Sequence, residues 1–208
     1  MRYPAGRILV FAKAPRPGRV KTRLARRYGK RGATRLYREL LRERLAGLAR
    51  AGLCPVELWV ADERGHPFFA RCRREFGVSL HRQHGTDLGR RMDHALRAAL
   101  RRGEYALLIG GDCASLTVGD LAQALDALAQ GREAVLGPAE DGGYVLLGLR
   151  RARPALFRGI RWSTPRVLPA TRARLHRAGL DWVELPTRWD VDRPTDVRRL
   201  RQRTVADR

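Results

Sequence analysis

The sequence contains little lysine, little cysteine and no long apolar run. Of its 43 basic residues only Lys13, Lys21 and Lys30 are lysine. The three cysteines lie far apart and form no CxxC pair, which argues against a zinc knuckle, a redox motif or a disulfide framework. No apolar segment approaches the roughly 20 residues that a membrane-spanning helix needs, so no membrane span is expected.

The N-terminal segment "MRYPAGRILVFAKAP" lacks the apolar stretch and small-residue cleavage site of a secretory signal, and a cytoplasmic location is therefore expected. A composition of 44% hydrophobic and 31% charged residues is typical of a folded globular protein. The sequence has no internal repeat, low-complexity linker or compositional seam. These features predict a single domain over residues 1–208, with a basic tail from about residue 201.

Acidic residues are also scarce, because 21 of them face 43 basic ones and the net charge is +22. Such a charge raises the question of nucleic-acid binding. However, the arginines are spread along the whole chain and mostly occupy the polar faces of predicted helices, and zinc-finger spacing and RNP-type aromatic patterns are missing. We therefore expect no specific nucleic-acid partner, only nonspecific adhesion to polyanions at low salt.

Apolar strand-like runs alternate with helical periodicity along the chain, which predicts an α/β fold with a mostly parallel sheet and helices on both faces. "YALLIG" is the most apolar run and is expected in the middle of the sheet. A short helix should end at Gly29, and a later helix should begin with a Ser or Thr cap in "STPRV". Two leucine-rich stripes are expected to face inward: Leu36, Leu40, Leu41, Leu45 and Leu48 in one helix, and Leu88, Met92, Ala95, Leu96 and Ala99 in another.

The loop "FAKAPRPGRVKTRLA" follows the first predicted strand and contains two of the three lysines. Its prolines restrict the backbone, Gly18 permits a tight turn, and a helix should begin near Lys21. A helix N-terminus attracts anions, and lysine offers a compact charge on a flexible stem where arginine offers a rigid fork. The pattern indicates a phosphate-binding loop, with a basic surface loop as the alternative, and it is not a Walker A sequence.

Asp112 directly follows "YALLIG" in the motif "LLIGGDCASL". A carboxylate at the carboxyl end of a buried strand can hold a divalent metal against a diphosphate, and Gly110 and Gly111 would leave room for a ligand. The alternative is a turn or capping aspartate. If Asp112 were buried without a cation, its charged form would be costly.

Two further acidic motifs are less specific. In "GPAEDGGYVLLGL", Glu140 and Asp141 lie between two strands, and Gly142 and Gly143 permit either close approach to a ligand or a simple hairpin turn. In "RWDVDRPTDV", Asp190, Asp192 and Asp196 are dense enough to repel one another unless a cation lies among them. A second metal ligand is one interpretation, and a helix cap from Asp192 or Thr195 is the other.

These four motifs together resemble a bacterial family of small GT-A-like proteins labelled nucleotide-diphospho-sugar transferases, including an arsenosugar-biosynthesis-type glycosyltransferase branch. The resemblance runs from Arg7 to about Leu200. The family is also similar to 2-phospho-L-lactate guanylyltransferase and, more distantly, to the molybdenum-cofactor guanylyltransferase. Ala114 departs from the family pattern, which commonly has proline there, and this loosens the turn after Asp112.

The resemblance implies a single-domain Rossmann-like GT-A fold and a nucleotide-activated substrate. By position, phosphates would meet Lys13, Arg19, Lys21 and Arg23, and Mg²⁺ or Mn²⁺ would bind Asp112 and Asp192. Gly111, Gly142 and Gly143 would approach the substrate, and Asp141 or Glu140 would serve as the base.

The resulting expectation is a metal-dependent transferase whose partners are a nucleotide or nucleotide-sugar and an unknown acceptor. Glycosyl transfer from a nucleotide-diphospho-sugar is the leading hypothesis. A nucleotidyltransferase that releases pyrophosphate is the first alternative, and a non-catalytic nucleotide-binding protein is the second. The sequence does not distinguish which bond breaks.

Overall fold

The computed structural model describes residues 1–61 and 64–206, with side chains as far as residue 202. One seven-stranded sheet carries strands in the order β3-β2-β1-β4-β6-β5-β7. The elements in chain order are β1 Gly6–Ala12, α1 Thr22–Ala51, β2 Val56–Val60, α2 Pro67–Phe76, β3 Ser79–Arg82, α3 Leu88–Leu100, β4 Tyr105–Gly110, α4 Val118–Ala129, β5 Ala134–Pro138, β6 Tyr144–Leu149, a 3₁₀ turn Pro154–Leu156, α5 Val167–Arg177, β7 Trp182–Glu184 and α6 Pro194–Ala206.

The sheet is mostly parallel, as predicted. β1 pairs in parallel with β2 and β4, β2 with β3, and β5 with β7. Within the described chain only β6 runs the other way, since it pairs antiparallel with both β4 and β5. The β5–β6 connection is therefore a hairpin, and it carries Glu140 to Gly143. The carboxyl ends of β1 and β4 lie side by side, so the loops that follow them share one edge of the sheet.

Helices cover both faces of the sheet. On one face, Leu41 and Leu45 of α1 and Leu125 of α4 pack with Leu107 of β4. On the other face, residues of α3 and α5 such as Leu96 pack against the neighbouring positions of the same strands. β4 occupies the central position of the seven strands, and alternate residues along it enter the two cores. This confirms the prediction from its continuous apolar sequence.

A break within α1 occurs at Gly29, whose φ of 68° and ψ of 161° are not helical. The predicted short helix therefore ends at that residue, and a second helix continues to Ala51. The expected stripe is divided, because Leu41, Leu45 and Leu48 join the core beneath the sheet whereas Leu36 and Leu40 pack in a separate cluster with Val197 of α6.

Three local predictions were wrong or incomplete. The helix α2 was not foreseen, although its residues Phe68, Phe69 and Cys72 form a buried face. Leu88 is 42% exposed instead of buried, since it is the first residue of α3 and lies at a surface edge. The cap of α5 is Arg166, which makes no side-chain capping bond, because Thr164 donates its hydroxyl to Arg161 O instead.

Within the described part of the chain, none of the helices combines the length and apolar character needed to cross a membrane.

Candidate functional site

The loop between β1 and α1 opens the site. Gly18 takes a left-handed conformation with φ of 80°, as the turn after the two prolines requires. Lys21 precedes the first residue of α1, has φ of 47° and ψ of 46°, and offers no side-chain cap to the helix. The first N–H groups of α1 are thus positioned to receive an anion at this edge of the sheet.

The side chain of Lys21 lies between two carboxylates. Its Nζ is 2.7 Å from Asp112 Oδ2 and 3.3 Å from Asp192 Oδ1, and the side chain is only 5% exposed. Burial acts to lower the pKa of Lys21, but attraction and hydrogen bonding to Asp112 and attraction to Asp192 and Asp190 outweigh it, so the pKa is raised. Lys21 is therefore an ammonium ion that links Asp112, in the loop after β4, to Asp192, in the segment before α6.

The acidic residues of "RWDVDRPTDV" have different roles: Asp190 lies buried near Asp112, Asp192 forms ion pairs and Asp196 caps a helix. Burial, together with the nearby Asp112 carboxylate, raises the pKa of Asp190 to about 6. Asp196 caps α6, since its Oδ2 accepts hydrogen bonds from the backbone N–H groups of Asp192 and Arg193 at 3.0 and 2.6 Å. The cap predicted at Asp192 or Thr195 is thus supplied by Asp196, and the Asp192 carboxylate contacts Lys21 and Arg23.

A buried serine holds the loop that carries Asp112 against the segment that carries Asp190 and Asp192. Ser115 Oγ accepts a hydrogen bond from Trp189 N and donates one to Trp189 O, each at 2.7 Å. From α1, Arg44 donates to the carbonyls of Cys113 and Leu116 and so holds the loop that follows β4. These contacts set the position of the loop that carries Asp112 relative to Asp190 and Asp192.

The hairpin between β5 and β6 contributes one of its two acidic residues to the site. Asp141 Oδ1 accepts a hydrogen bond from Gly143 N at 2.9 Å, and the residue lines the cleft. Glu140 instead forms an ion pair with Arg199 of α6 at 2.9 Å and does not line the cleft. The prediction that either residue could act as the base is thereby narrowed to Asp141.

Of the four glycines singled out beside acidic residues in the sequence, two border the cleft and two allow close packing within the protein. A Cβ on Gly111 would lie 2.6 Å from Leu41 Cδ1, so protein and not ligand fills that space, whereas Gly110 borders the cleft. A Cβ on Gly142 would lie 2.5 Å from Pro165 O, and its φ is 83°, so this residue permits the hairpin to pack against the segment before α5. Gly143 does line the cleft.

These loops surround a cleft at the carboxyl edge of the sheet. The cleft has two lobes, which share the lining residues Phe11, Leu88, Asp141 and Ser163. The lobe lined by the β1–α1 loop, here called the basic lobe, has a volume of about 660 Å³, and the lobe lined by Trp162, here called the apolar lobe, has a volume of about 230 Å³. The basic lobe brings together all four predicted phosphate contacts with both predicted metal ligands: Lys13, Arg19, Lys21, Arg23, Asp112 and Asp192.

Three lining residues were not singled out from the sequence. Tyr37 of α1 donates its hydroxyl to Lys13 O and accepts from Lys13 N. Gln83 donates its amide to Ala12 O at 3.3 Å and Trp59 O at 2.9 Å. Trp162 borders the apolar lobe. An isolated tryptophan between glycine and proline in "RGIRWSTP" was the available signal, but no pattern marks the other two.

The described residues contain no group of three or more His, Cys, Asp or Glu side chains arranged to hold a metal ion. Asp112 and Asp192 nevertheless share one cation, the Lys21 ammonium. Oxygen donors of this kind suit Mg²⁺ or Mn²⁺. The pair therefore fits a divalent ion chemically, and such an ion would take the place of the ammonium or lie beside it.

The fold and cleft place the chain among Rossmann-like folds of sugar transferases and nucleotidyltransferases. A family model described as "Uncharacterized protein conserved in bacteria (DUF2064)" matches residues 44–164, and the chain belongs to this family. A "putative nucleotide-diphospho-sugar transferase" from Desulfovibrio desulfuricans G20 is 34% identical, with a TM-score of 0.84 over 91% of this chain and 83% of that one. Among curated proteins, none matches significantly.

More distant structures share the fold alone. The 4-diphosphocytidyl-2C-methyl-D-erythritol synthase of Anaerococcus prevotii DSM 20548 is 9% identical, with a TM-score of 0.65 over 97% of this chain and 98% of that one. CMP:2-keto-3-deoxy-manno-octonic acid synthetase complexed with CTP is 14% identical, with a TM-score of 0.62 over 98% and 99%. These structural neighbours are transferases, whereas the arsenosugar branch and the guanylyltransferase relation stay predictions.

Proposed function

We propose that the protein is a metal-dependent transferase that takes a nucleotide-diphospho-sugar and transfers its glycosyl group to an acceptor. The observation that carries the proposal is the contact of Lys21 with Asp112 and Asp192 at the base of a basic cleft. The 34% identical structure named as a nucleotide-diphospho-sugar transferase supports the same assignment.

The basic lobe would hold the phosphates. Lys13, Arg19 and Arg23 line it together with the N-terminus of α1, and all of these favour negative charge. Lys21 is already bound to carboxylates, so it would contribute to phosphate binding only by leaving Asp112 or by contacting both groups at once.

Asp112 and Asp192 would hold Mg²⁺ or Mn²⁺. When bound, such an ion neutralises the charge that develops on a departing nucleoside diphosphate. Asp141 lies where both lobes meet, which makes it the candidate base toward an acceptor hydroxyl. Its second carboxylate oxygen remains for that purpose, because Oδ1 is engaged with Gly143 N.

Nucleotidyl transfer is the second candidate. It is favoured by the fold shared with a synthetase complexed with CTP and with an inositol-1-phosphate CTP transferase, and by the concentration of positive charge in one lobe. The two reactions are separated by their products. A thermal-shift panel of nucleoside triphosphates and nucleotide-sugars, with and without Mn²⁺, identifies the ligand that stabilises the native state. Mass spectrometry of a reaction with that ligand then detects either a nucleoside diphosphate or pyrophosphate.

A ligand that raises the melting temperature without any turnover across a broad acceptor panel would support the non-catalytic alternative. A protein that binds neither class of nucleotide, with or without Mn²⁺, would contradict the proposal.

A further inference from the structure

The apolar lobe of the cleft differs in chemistry from the basic lobe beside it. Most of its lining side chains are apolar or aromatic, with Met92, Tyr144 and Trp162 among the largest. Trp162 lies against α3 at Gly89, where a Cβ would come within 2.5 Å of the indole ring. The contact with Gly89 fixes the position of this aromatic surface. The volume of the apolar lobe, about 230 Å³, suits a single small ring.

The charged residues that line the apolar lobe are acidic, whereas the protein as a whole is strongly basic. Lysine and arginine make up 43 of the 208 residues, yet none of the described residues that line the lobe is basic. Two of them, Asp141 and Asp190, are acidic. The Lys21 ammonium, which attracts Asp190, belongs to the basic lobe and is bonded to Asp112 and Asp192.

A carboxylate or phosphate in the lobe would lose its hydration, would meet no basic partner among the lining residues and would face two like charges. Each of these effects opposes binding. An uncharged ring would place its apolar face on Trp162 and donate from its hydroxyl groups to the carboxylates. A ring that carries an amine would also bind, because its positive charge would be attracted to the carboxylates of Asp141 and Asp190.

We propose that the apolar lobe binds an uncharged or amine-bearing ring, such as a neutral sugar, and rejects rings that carry a carboxylate or a phosphate. Its role as the site of the transferred or accepting group rests on the proposed function, whereas the charge preference does not. If it holds, transfer to a phosphorylated or carboxylated acceptor in this lobe is disfavoured.

The test compares methyl β-D-glucoside with methyl β-D-glucuronide, single-ring probes in which a CH₂OH group is replaced by a carboxylate, by saturation-transfer NMR in 0.15 M salt. Screening limits nonspecific attraction of the anion to a protein of net charge +22. We expect the glucoside to bind at least tenfold more tightly and to lose its signal in Trp162→Ala. The exposed Ser163→Lys, at the junction of the lobes, should raise the affinity for the glucuronide severalfold relative to the affinity for the glucoside.

Equal or tighter binding of the glucuronide, abolished by Trp162→Ala, would overturn the inference, as would failure of the wild-type protein to bind either probe. Nucleotide binding is measured separately on the same sample. Loss of the proposed function would appear as a protein that binds no nucleotide while it still prefers the glucoside, so the two failures are distinguishable.

Discussion

The Nζ atom of Lys21 lies 2.7 Å from Asp112 Oδ2, and the lysine side chain is 5% exposed. The sequence predicts that Lys21 binds phosphate, and in the structure its ammonium is already paired with carboxylates. A divalent cation at the same carboxylates would compete with it. We therefore expect Lys21 to oppose metal binding in the absence of nucleotide and to support nucleotide binding once the metal is present.

Lys21→Met tests this directly. In the absence of nucleotide the variant should bind Mn²⁺ about tenfold more tightly than the wild type, because the competing ammonium is gone. Its stability without metal should fall by roughly 1–3 kcal/mol, since Asp112 loses its cation and Asp192 keeps only Arg23. Mn²⁺ should restore the stability by mass action. Calorimetry and thermal unfolding with and without Mn²⁺ measure both effects.

Lys13→Met is the matched control. Lys13 lines the same lobe but forms no ion pair among the described residues, so its removal should weaken nucleotide binding without changing Mn²⁺ affinity. Unchanged or weaker Mn²⁺ binding by Lys21→Met would show that the ammonium and the metal do not share a position.

Asp112→Asn should remove the Mn²⁺ dependence of nucleotide binding, because one of two charged ligands is lost. The variant should also be less stable than the wild type by roughly 1 kcal/mol, since Lys21 keeps Asp192 but loses its shorter contact. Nucleotide titrations in Mn²⁺ and in EDTA, together with urea unfolding, provide the measurements. An Asn variant that binds Mn²⁺–nucleotide as tightly as the wild type would make Asp112 a turn-forming residue only.

Ser115→Ala tests whether the spacing of the two acidic motifs matters. Ser115 is 2% exposed, and its loss removes the acceptor of the Trp189 N–H and leaves the Trp189 carbonyl with the weaker Cys113 thiol as donor. We expect a destabilisation of about 1–3 kcal/mol and a severalfold loss of Mn²⁺ affinity. Thr171→Val, which removes a buried hydroxyl bonded to Val167 O in α5, is the control. If both variants affect Mn²⁺ binding equally, the serine has no specific positioning role.

The ion pair of Asp120 and Arg188 should make the site sensitive to acid. Burial acts to raise the pKa of Asp120, but hydrogen bonds from Arg188 and Thr117 outweigh it, so the pKa lies below 3.8. A lowered pKa in the folded state stabilises the protein above the unfolded value, and this contribution is lost as the pH falls through the folded value. Arg188 directly precedes Trp189, so the pair also anchors the acidic C-terminal motif.

Asp120→Asn should therefore be less stable than the wild type by about 2 kcal/mol at pH 7. The difference should shrink as the pH is lowered toward the acid limit of folding, as measured by urea unfolding at a series of pH values. A difference that stays constant with pH would assign the loss to helix capping at Thr117 instead of to the ion pair.

Much of the fold could be predicted from local pattern. The alternation of apolar runs and helical periods indicated a mostly parallel sheet, and the uniform apolarity of "YALLIG" placed β4 at its centre, because a strand buried on both faces has no polar side. Helix α2 escaped prediction although Phe68, Phe69 and Cys72 form a buried face with helical spacing, because a ten-residue segment repeats that pattern over fewer than three turns.

The sequence by itself determined which residues could form the site, because carboxylates and basic side chains clustered where strands end. Only the tertiary structure decided their roles. It turned Glu140 toward Arg199, filled the space beside Gly111 with Leu41, and brought Lys21 against carboxylates 91 and 171 positions away in the chain. It also gives a reason for lysine at this point, since the compact ammonium of Lys21 contacts both carboxylates through a single nitrogen atom.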